Sequence, residues 1–461
     1  MGLGIHRRSF LKALAASPAA TTLAFPSRSA SSWKALAEDV RAQMRWAWLC
    51  YRRCCFGADQ IKPVSGRGEA FFFAKGPSLG LTIVEALDTL YVMGLDRQIV
   101  EGLRWLYRRL NFDVDGEVQV FETGIRMVGG LLSGWRGTGE KRLLALAKDL
   151  ADRLAPAFEK SPTGMPYRFV NLKTGAVRGS ISYPAEIGTY IAEWGTLGKA
   201  TGDPRYYDMA KRALKALFER RSKIDLIADA IDVETGEWKS RRATIGPPSD
   251  SYFEYLWDGW RLFGDADLKR WYDIHAAAIA KHQSVRKNGR LWFAQVDFET
   301  GAALDRHQSE LAAFYAGLLA QGGDMERGKD YLESWAAVQS RYGVLPEGYD
   351  FEKSAADRRS NALRPEFVDS CLAMFLIEPN ERWRELARIH YENMKATSRA
   401  PYGFTVIDDI GASPMKQGDL CPGYWWSEQM KYYYLLFSDS DRFDYKNNYL
   451  STEGNVLVGL K

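Results

Sequence analysis

The chain has 461 residues, 46% of them hydrophobic and 26% charged, an ordinary balance for a globular protein. Removing residues 1–30, a segment read below as a signal, takes four of the 62 basic residues and none of the 58 acidic ones, so the charges balance. With no basic tract, that excludes nucleic acid as a partner. After residue 30 no stretch is apolar enough to span a bilayer, the five histidines lack zinc spacing and there is no glycine-rich phosphate loop.

In chain order, Arg7-Arg8-Ser9-Phe10-Leu11-Lys12, an Ala-rich apolar run to Phe25 and the small pair Ser29-Ala30 read as a twin-arginine signal cleaved after Ala30. That predicts export of a folded protein, to the periplasm or beyond. Residues 31–461 read as one domain, since no linker or low-complexity stretch divides them. Apolar periodicity predicts helices over 33–53, 79–95, 97–111, 122–136, 141–158, 184–200, 203–220, 249–262, 266–284, 307–321, 324–340, 365–377, 379–395 and 423–437. These fourteen helices make seven pairs, an all-α domain closed on itself, with short segments such as Leu291–Val296 as small hairpins over one end. Of the five cysteines, Cys50 and Cys54 lie one turn apart and suit buried packing, while a Cys371–Cys421 bridge stays open.

An acidic residue near the start of an apolar helical run recurs at Glu122, Glu186, Asp250, Glu310, Glu366 and Glu428, at spacings of 64, 64, 60, 56 and 62 by subtraction of positions. A period near sixty suits a helical hairpin plus a long loop. If the first helix of each hairpin lines the centre of a closed array, the carboxylates gather at one end. In the helix after Val120, Arg126 sits one turn beyond Glu122, within ion-pair reach. Gly129-Gly130 in mid-helix costs about 1 kcal/mol per residue relative to Ala, which predicts tight packing around it.

A ring of carboxylates with Arg126, Arg364 and many aromatics suits three uses: ion pairs in a polar core, a hard cation such as calcium, or glycosidic bond cleavage, which needs one protonated and one ionised carboxyl group. The tail Tyr449–Leu457 could run back as a short strand and present Thr452 and Glu453 to this ring.

The blocks Ala47-Trp48, Leu87-Asp88-Thr89-Leu90, Phe121-Glu122, Ile125-Arg126, Gly129-Gly130-Leu131-Leu132-Ser133, Ala185-Glu186, Asp250-Ser251-Tyr252, Leu363-Arg364-Pro365-Glu366 and Thr452-Glu453 occur in one order. From Trp46 to Leu457 the chain resembles glycoside hydrolase family 47, the class I α-mannosidases. The resemblance implies an (α/α)7 barrel with the C-terminal segment entering it, a calcium ion at the barrel base and hydrolysis of α-1,2-linked mannose with inversion. It implies Glu122 as the acid that protonates the leaving oxygen, Glu366 as the favoured general base and Asp250 as the other candidate. Thr452 would bind calcium through its hydroxyl and carbonyl. Glu193, Asp369, Glu428 and Glu453 match positions around the metal's waters and the sugar, with Arg126 and Arg364 near the catalytic acids and Tyr424 stacked under the sugar. Glu186 and Glu310 complete the expected substrate-binding set. The chain departs from the family pattern at Asn455, where many members carry His, at Glu310, where trimming enzymes of the secretory pathway often have His, and at Ala313, where they often have a disulfide cysteine. The expected partner is a mannose-containing oligosaccharide or glycan and the expected state a monomer. The rival readings are another α-mannosidic linkage, glycoprotein-bound chains, or a mannan-binding protein without hydrolysis.

Overall fold

Seven helices of the chain are apolar on nearly every face, and a helix of that kind must be surrounded. The computed structural model, which describes residues 29–73 and 75–461, surrounds them with one another and with seven amphipathic partners. The outer helices are α1 (Ala30–Cys54), α3 (Asp96–Arg109), α5 (Lys141–Leu154), α7 (Arg205–Phe218), α9 (Ala266–His282), α11 (Met325–Tyr342) and α13 (Glu381–Ser398). The inner ones are α2 (Leu81–Val92), α4 (120–138), α6 (184–201), α8 (Asp250–Phe263), α10 (310–321), α12 (Glu366–Ile377) and α14 (425–437). Inner helices pack on their ring neighbours, α4 on α2 and α6, α6 on α8, α10 on α12, α12 on α14, and α14 back on α2. This is the expected (α/α)7 barrel. The twin-arginine segment lies, up to residue 28, outside the described residues.

The strands are short and form sheets of two or three. Apart from the last pair, each lies between an outer helix and the next inner one, and so over the end of the barrel where the inner helices begin. The segment around Leu291 is a hairpin, Ser284–Lys287 with Arg290–Phe293, as its alternation suggested. All five cysteines are free thiols, Cys371 and Cys421 both buried, so the open bridge between them is not made.

Two inner helices differ from uniform α-helix. In α4 the segment Thr123–Val128 is a π-turn, and α14 opens with another, Trp425–Gln429. Such turns are rare and gather at functional sites; these two carry Arg126 and Glu428. The glycine pair of α4 is tightly enclosed, as its cost implied. A Cβ on Gly130 would lie 2.7 Å from a Val84 methyl group, and one on Gly129 only 2.4 Å from the Asn455 amide.

Asn455 belongs to the hairpin Tyr449–Leu450/Val456–Val458, which enters the barrel from the end opposite the other sheets. Three sets of bonds hold it there. Lys431 on α14 pairs with Asp88 on α2 at 2.7 Å and also donates to the Gly454 carbonyl. Asp88 in turn accepts from the Val456 backbone N–H at 2.8 Å. The Asn455 amide donates to the Ile125 carbonyl at 3.0 Å. The hairpin tip, Ser451–Gly454, turns through Gly454 at φ +67°, a conformation that glycine adopts without strain.

Lys431 and Asp88 have side chains at 0% and 1% exposure, so either charge left alone would be a buried charge without a partner. Lys431→Met is expected to destabilise the protein by about 3–5 kcal/mol, with Asp88→Asn milder, in denaturant unfolding followed by circular dichroism. A loss under about 1 kcal/mol for Lys431→Met would show that the pair does not hold the hairpin.

Candidate active site

The period of about sixty residues places Glu122, Glu186, Asp250, Glu310, Glu366 and Glu428 at the starts of inner helices, on one end of the barrel. A cavity of about 370 Å³ opens there and runs down the barrel axis to the hairpin tip. Glu122, Glu186, Asp250, Glu366 and Glu428 line it, with Arg126, Arg364, Asp369, Tyr424, Thr452 and Glu453. Glu193 and Glu310 do not reach its surface. Both are fully buried behind it.

Arg126 is the hub of one half. Its Nε donates to Glu122 at 2.6 Å, the one-turn ion pair read from the sequence, while its Nη1 donates to Glu85 at 3.0 Å and to Glu453 at 2.5 Å. One guanidinium thus fixes acids from α4, α2 and the tail hairpin. Its charge-assisted bonds outweigh the cost of its burial, and the three carboxylates raise its pKa further. Arg364 holds the other half by forking onto both oxygens of Glu347, at 3.1–3.3 Å. The two guanidinium groups lie over the same Tyr424 ring, at 5.7 and 5.4 Å from its centroid. The Tyr424 hydroxyl donates to the Ala362 carbonyl at 2.7 Å, which locks the ring in place as a flat wall. Glu186 is clamped at the rim by Arg168, at 2.6 and 2.9 Å, and by the Gln119 amide.

Toward the floor the balance of charge turns negative. Thr452 donates its hydroxyl to Glu254 at 3.0 Å. Asp369, Glu428 and Glu453 line the cavity beside it, and Arg126, the cation that acts on Glu428 and Glu453, already serves three carboxylates. Burial, and then mutual repulsion, pushes Glu254, Glu428 and Glu453 well above the usual carboxylate range. Burial alone takes Asp369 up to about 7. Nearer the mouth, burial raises Glu366 to about 8 and Asp250 to about 6, with Arg364 opposing it in both. Glu193, deeper, is raised to about 8 by burial against the help of a 2.7 Å bond from the Tyr255 hydroxyl.

Several participants escaped sequence reasoning. Glu85 lies one turn into the first inner helix, and it stands 37 residues before Glu122 by subtraction of positions, outside the period that exposed the others. Glu254 and Asp258 lie one and two turns below Asp250 on α8 and line the same cavity, a signal present in their spacing. Glu347 precedes a strand, and no sequence feature linked it to Arg364.

Comparison with known proteins agrees with this arrangement. The sequence profile of glycosyl hydrolase family 47 matches residues 43–458, and that of the twin-arginine translocation signal matches residues 4–24. Alpha-mannosidase I MNS5 of Arabidopsis thaliana is 31% identical, over 92% of this chain and 77% of its own. The mouse mannosyl-oligosaccharide 1,2-alpha-mannosidase IB is also 31% identical, over 92% and 70%. The human ER degradation-enhancing alpha-mannosidase-like protein 2 is 33% identical, over 89% and 72%. The solved alpha-1,2-mannosidase from Trichoderma reesei superposes with a TM-score of 0.83 at 22% identity, covering 93% of this chain and 99% of that one, a likeness of fold. With the profile spanning nearly the whole exported chain and the ring of acids at one mouth of an (α/α)7 barrel, the chain belongs to glycosyl hydrolase family 47 and is a glycoside hydrolase carrying a twin-arginine export signal.

Proposed function

We propose that residues 31–461 form one monomeric catalytic domain, an inverting, calcium-dependent α-1,2-mannosidase that removes terminal mannose from mannose-rich oligosaccharides or glycans in the periplasm or outside the cell. The observation that carries this reading is the placement of carboxyl groups around one cavity, Glu122 on α4 against Asp250 on α8 and Glu366 on α12, with Thr452 at the floor. The names of the mouse 1,2-alpha-mannosidase and of the Trichoderma enzyme supply the linkage.

Glycosidic cleavage with inversion needs an acid on the leaving oxygen and a base on the opposite face of the sugar, far enough away to admit a water. Acids on separate helices of a ring meet this requirement more easily than neighbours on one helix. In this reading Glu122 is the acid. Arg126 holds its Oε2, which leaves Oε1 to carry the proton toward the bond. Glu366 accepts a proton from the attacking water, with Asp250 the alternative. Arg364, drawn to Glu347, lowers the pKa of both candidate bases. The Tyr424 ring, fixed by the bond of its hydroxyl to the Ala362 carbonyl, offers an apolar platform under the sugar, and Glu186 at the rim would accept from the sugar's hydroxyls.

The floor fits a hard divalent cation. Its carboxyl groups repel one another, and a buried oxygen of Glu193, behind its wall, lacks a hydrogen-bond partner. An oxygen-only donor set is what calcium takes. Thr452 would hold the ion by its hydroxyl and carbonyl, with Asp369, Glu254, Glu428 and Glu453 holding its waters. When bound, the ion supplies positive charge that favours the ionised carboxyl groups and coordination for sugar hydroxyls. Asn455, the departure beside this site, faces away from it and serves the latch to α4.

The decisive experiment follows α-1,2-mannobiose by proton NMR with residues 31–461, in calcium and then in excess chelator. Release of β-mannose in calcium alone is expected; α-mannose first would overturn inversion, and binding without release would favour a mannan-binding protein. Glu122→Gln is expected to keep sugar affinity within a few-fold and to lose at least about 10²–10⁴-fold in turnover.

The raised carboxyl groups also give the cation-free protein a signature. A group whose pKa is raised by folding stabilises the fold fully below its unfolded pKa, about 4, and that stabilisation disappears as pH rises through the folded value. For Asp369 that value is about 7 and for Glu366 about 8. In chelator, the thermal midpoint should therefore fall steadily between about pH 5 and pH 8, and calcium should raise it most at the upper end. A midpoint in chelator independent of pH would contradict the crowding of carboxyl groups at the floor.

A further inference from the structure

The five cysteines divide by their access to solvent. Cys50, Cys371 and Cys421 are buried, while Cys54 and Cys55, neighbours in the chain, are each partly exposed. Cys54 is the last residue of α1, and the backbone N–H of Cys55 caps that helix by donating to the Tyr51 carbonyl at 3.0 Å. At this turn the two thiols face each other, their Sγ atoms 2.9 Å apart in an S–H···S contact. The contact lowers the pKa of Cys54 and raises that of Cys55, so Cys54 is the thiol that ionises first.

The turn is held from several sides. The Tyr51 hydroxyl accepts from the Gly57 N–H at 2.9 Å and donates to the Ala58 carbonyl at 2.8 Å. A Cβ on Gly68, in the hairpin beside the turn, would lie 2.8 Å from the Cys55 Cβ, so the glycine is what admits the Cys55 side chain. Two sulfurs kept this close need approach by only about 1 Å more to reach the roughly 2.05 Å of a disulfide bond. The surroundings of the pair also change during the life of the chain. Its signal exports it already folded, out of a cytosol where thiols stay reduced and into a compartment where they oxidise.

We propose that Cys54 and Cys55 are a redox site: in the exported protein they close into a disulfide between adjacent residues, the oxidant being a small-molecule disulfide or a disulfide-bearing thiol oxidoreductase. The Cys54 thiolate attacks one sulfur of the oxidant and expels the other as a thiolate, which leaves a mixed disulfide. The Cys55 sulfur, losing its proton, then attacks the Cys54 sulfur and releases the second thiol. Two electrons and both protons of the pair finish on the oxidant, now two thiols. Neighbouring Cα atoms stand about 3.8 Å apart, short of the roughly 4.4–6.8 Å usual for a disulfide, so the bridge is strained and easily reduced. It closes no loop of chain and so adds little to stability. What it does is consume the two partly exposed thiols and leave the buried ones, which keeps the oxidised protein from linking to other thiols.

The test takes residues 31–461 purified in the reduced state, equilibrates them with oxidised glutathione, quenches with N-ethylmaleimide in denaturant and weighs the protein intact and after trypsin. Cleavage after Arg53 and Arg67 gives one peptide, Cys54–Arg67, that holds both cysteines and no other. Before oxidation all five cysteines should be alkylated. Afterwards Cys54 and Cys55 should escape alkylation, with their peptide two hydrogens lighter than its dithiol form and no glutathione retained. Excess reduced glutathione should restore alkylation of all five. Cys55→Ser lacks the resolving thiol and should keep one glutathione on Cys54. Full alkylation after oxidation would overturn the proposal, as would a bridge from Cys55 to Cys421 or from Cys50 to Cys54. So would wild-type protein that retains glutathione, a Cys55→Ser variant that retains none, or a bridge that reduced glutathione cannot open.

Discussion

The Lys431–Asp88 pair is the constraint on which the rest of this barrel depends. Inner helices are apolar because they face one another, and a lysine in the middle of one is tolerable only with its charge answered at once. Asp88 answers it from α2, and the two groups also bond the backbone of the tail, at Gly454 and Val456. The barrel is thereby plugged from one end, and the tip of the plug becomes the floor of the cavity. Replacing such a pair with packed apolar side chains can be neutral for stability in other proteins. Here it has a second task, because it sets how far Thr452 and Glu453 project toward the mouth.

That placement creates the electrostatic character of the site. Two arginines organise the walls, each by a multiple contact, and both rest on Tyr424, so the platform and the acids are positioned by the same groups. The floor is left with more carboxyl groups than cations. A barrel that only had to be stable would not keep such an excess, since each buried acid without a partner costs free energy. In the proposed function the excess would be balanced by what the cavity receives, a cation at Thr452 and the hydroxyl-rich ring of a sugar. Strain of this kind, stored in charge, is a common mark of sites whose pKa values are set for proton transfer.

The two π-turns fit the same account. Each adds a residue to an inner helix near the mouth, and each lies where a side chain must be aimed into the cavity, Arg126 in α4 and Glu428 in α14. The close approach of Gly129 to Asn455 ties the first of these helices to the plug. Floor, walls and hub are in contact through a few short connections.

Much of this was legible in the sequence, and the reason is periodicity. Helical spacing of apolar residues located all fourteen helices within a few residues, the sixty-residue recurrence of an acid near a helix start identified six of the seven inner helices and their common end, and the Glu122–Arg126 pair followed from one helical turn. These are local regularities, and local regularities survive in one dimension. What only the tertiary structure decided are contacts between residues far apart in the chain: the fork of Arg364 on Glu347, the second and third partners of Arg126, Glu85 and Glu453, and the Lys431–Asp88 latch. No spacing rule connects positions 88 and 431, because their meeting depends on the ring closing. Burial was likewise undecided. Glu310 carries the same acidic, helix-opening signature as its neighbours, and Glu193 lies about two turns along the helix that Glu186 opens, yet both lie behind the cavity wall, since helix rotation decides whether a carboxyl group meets water, a sugar or a sealed core.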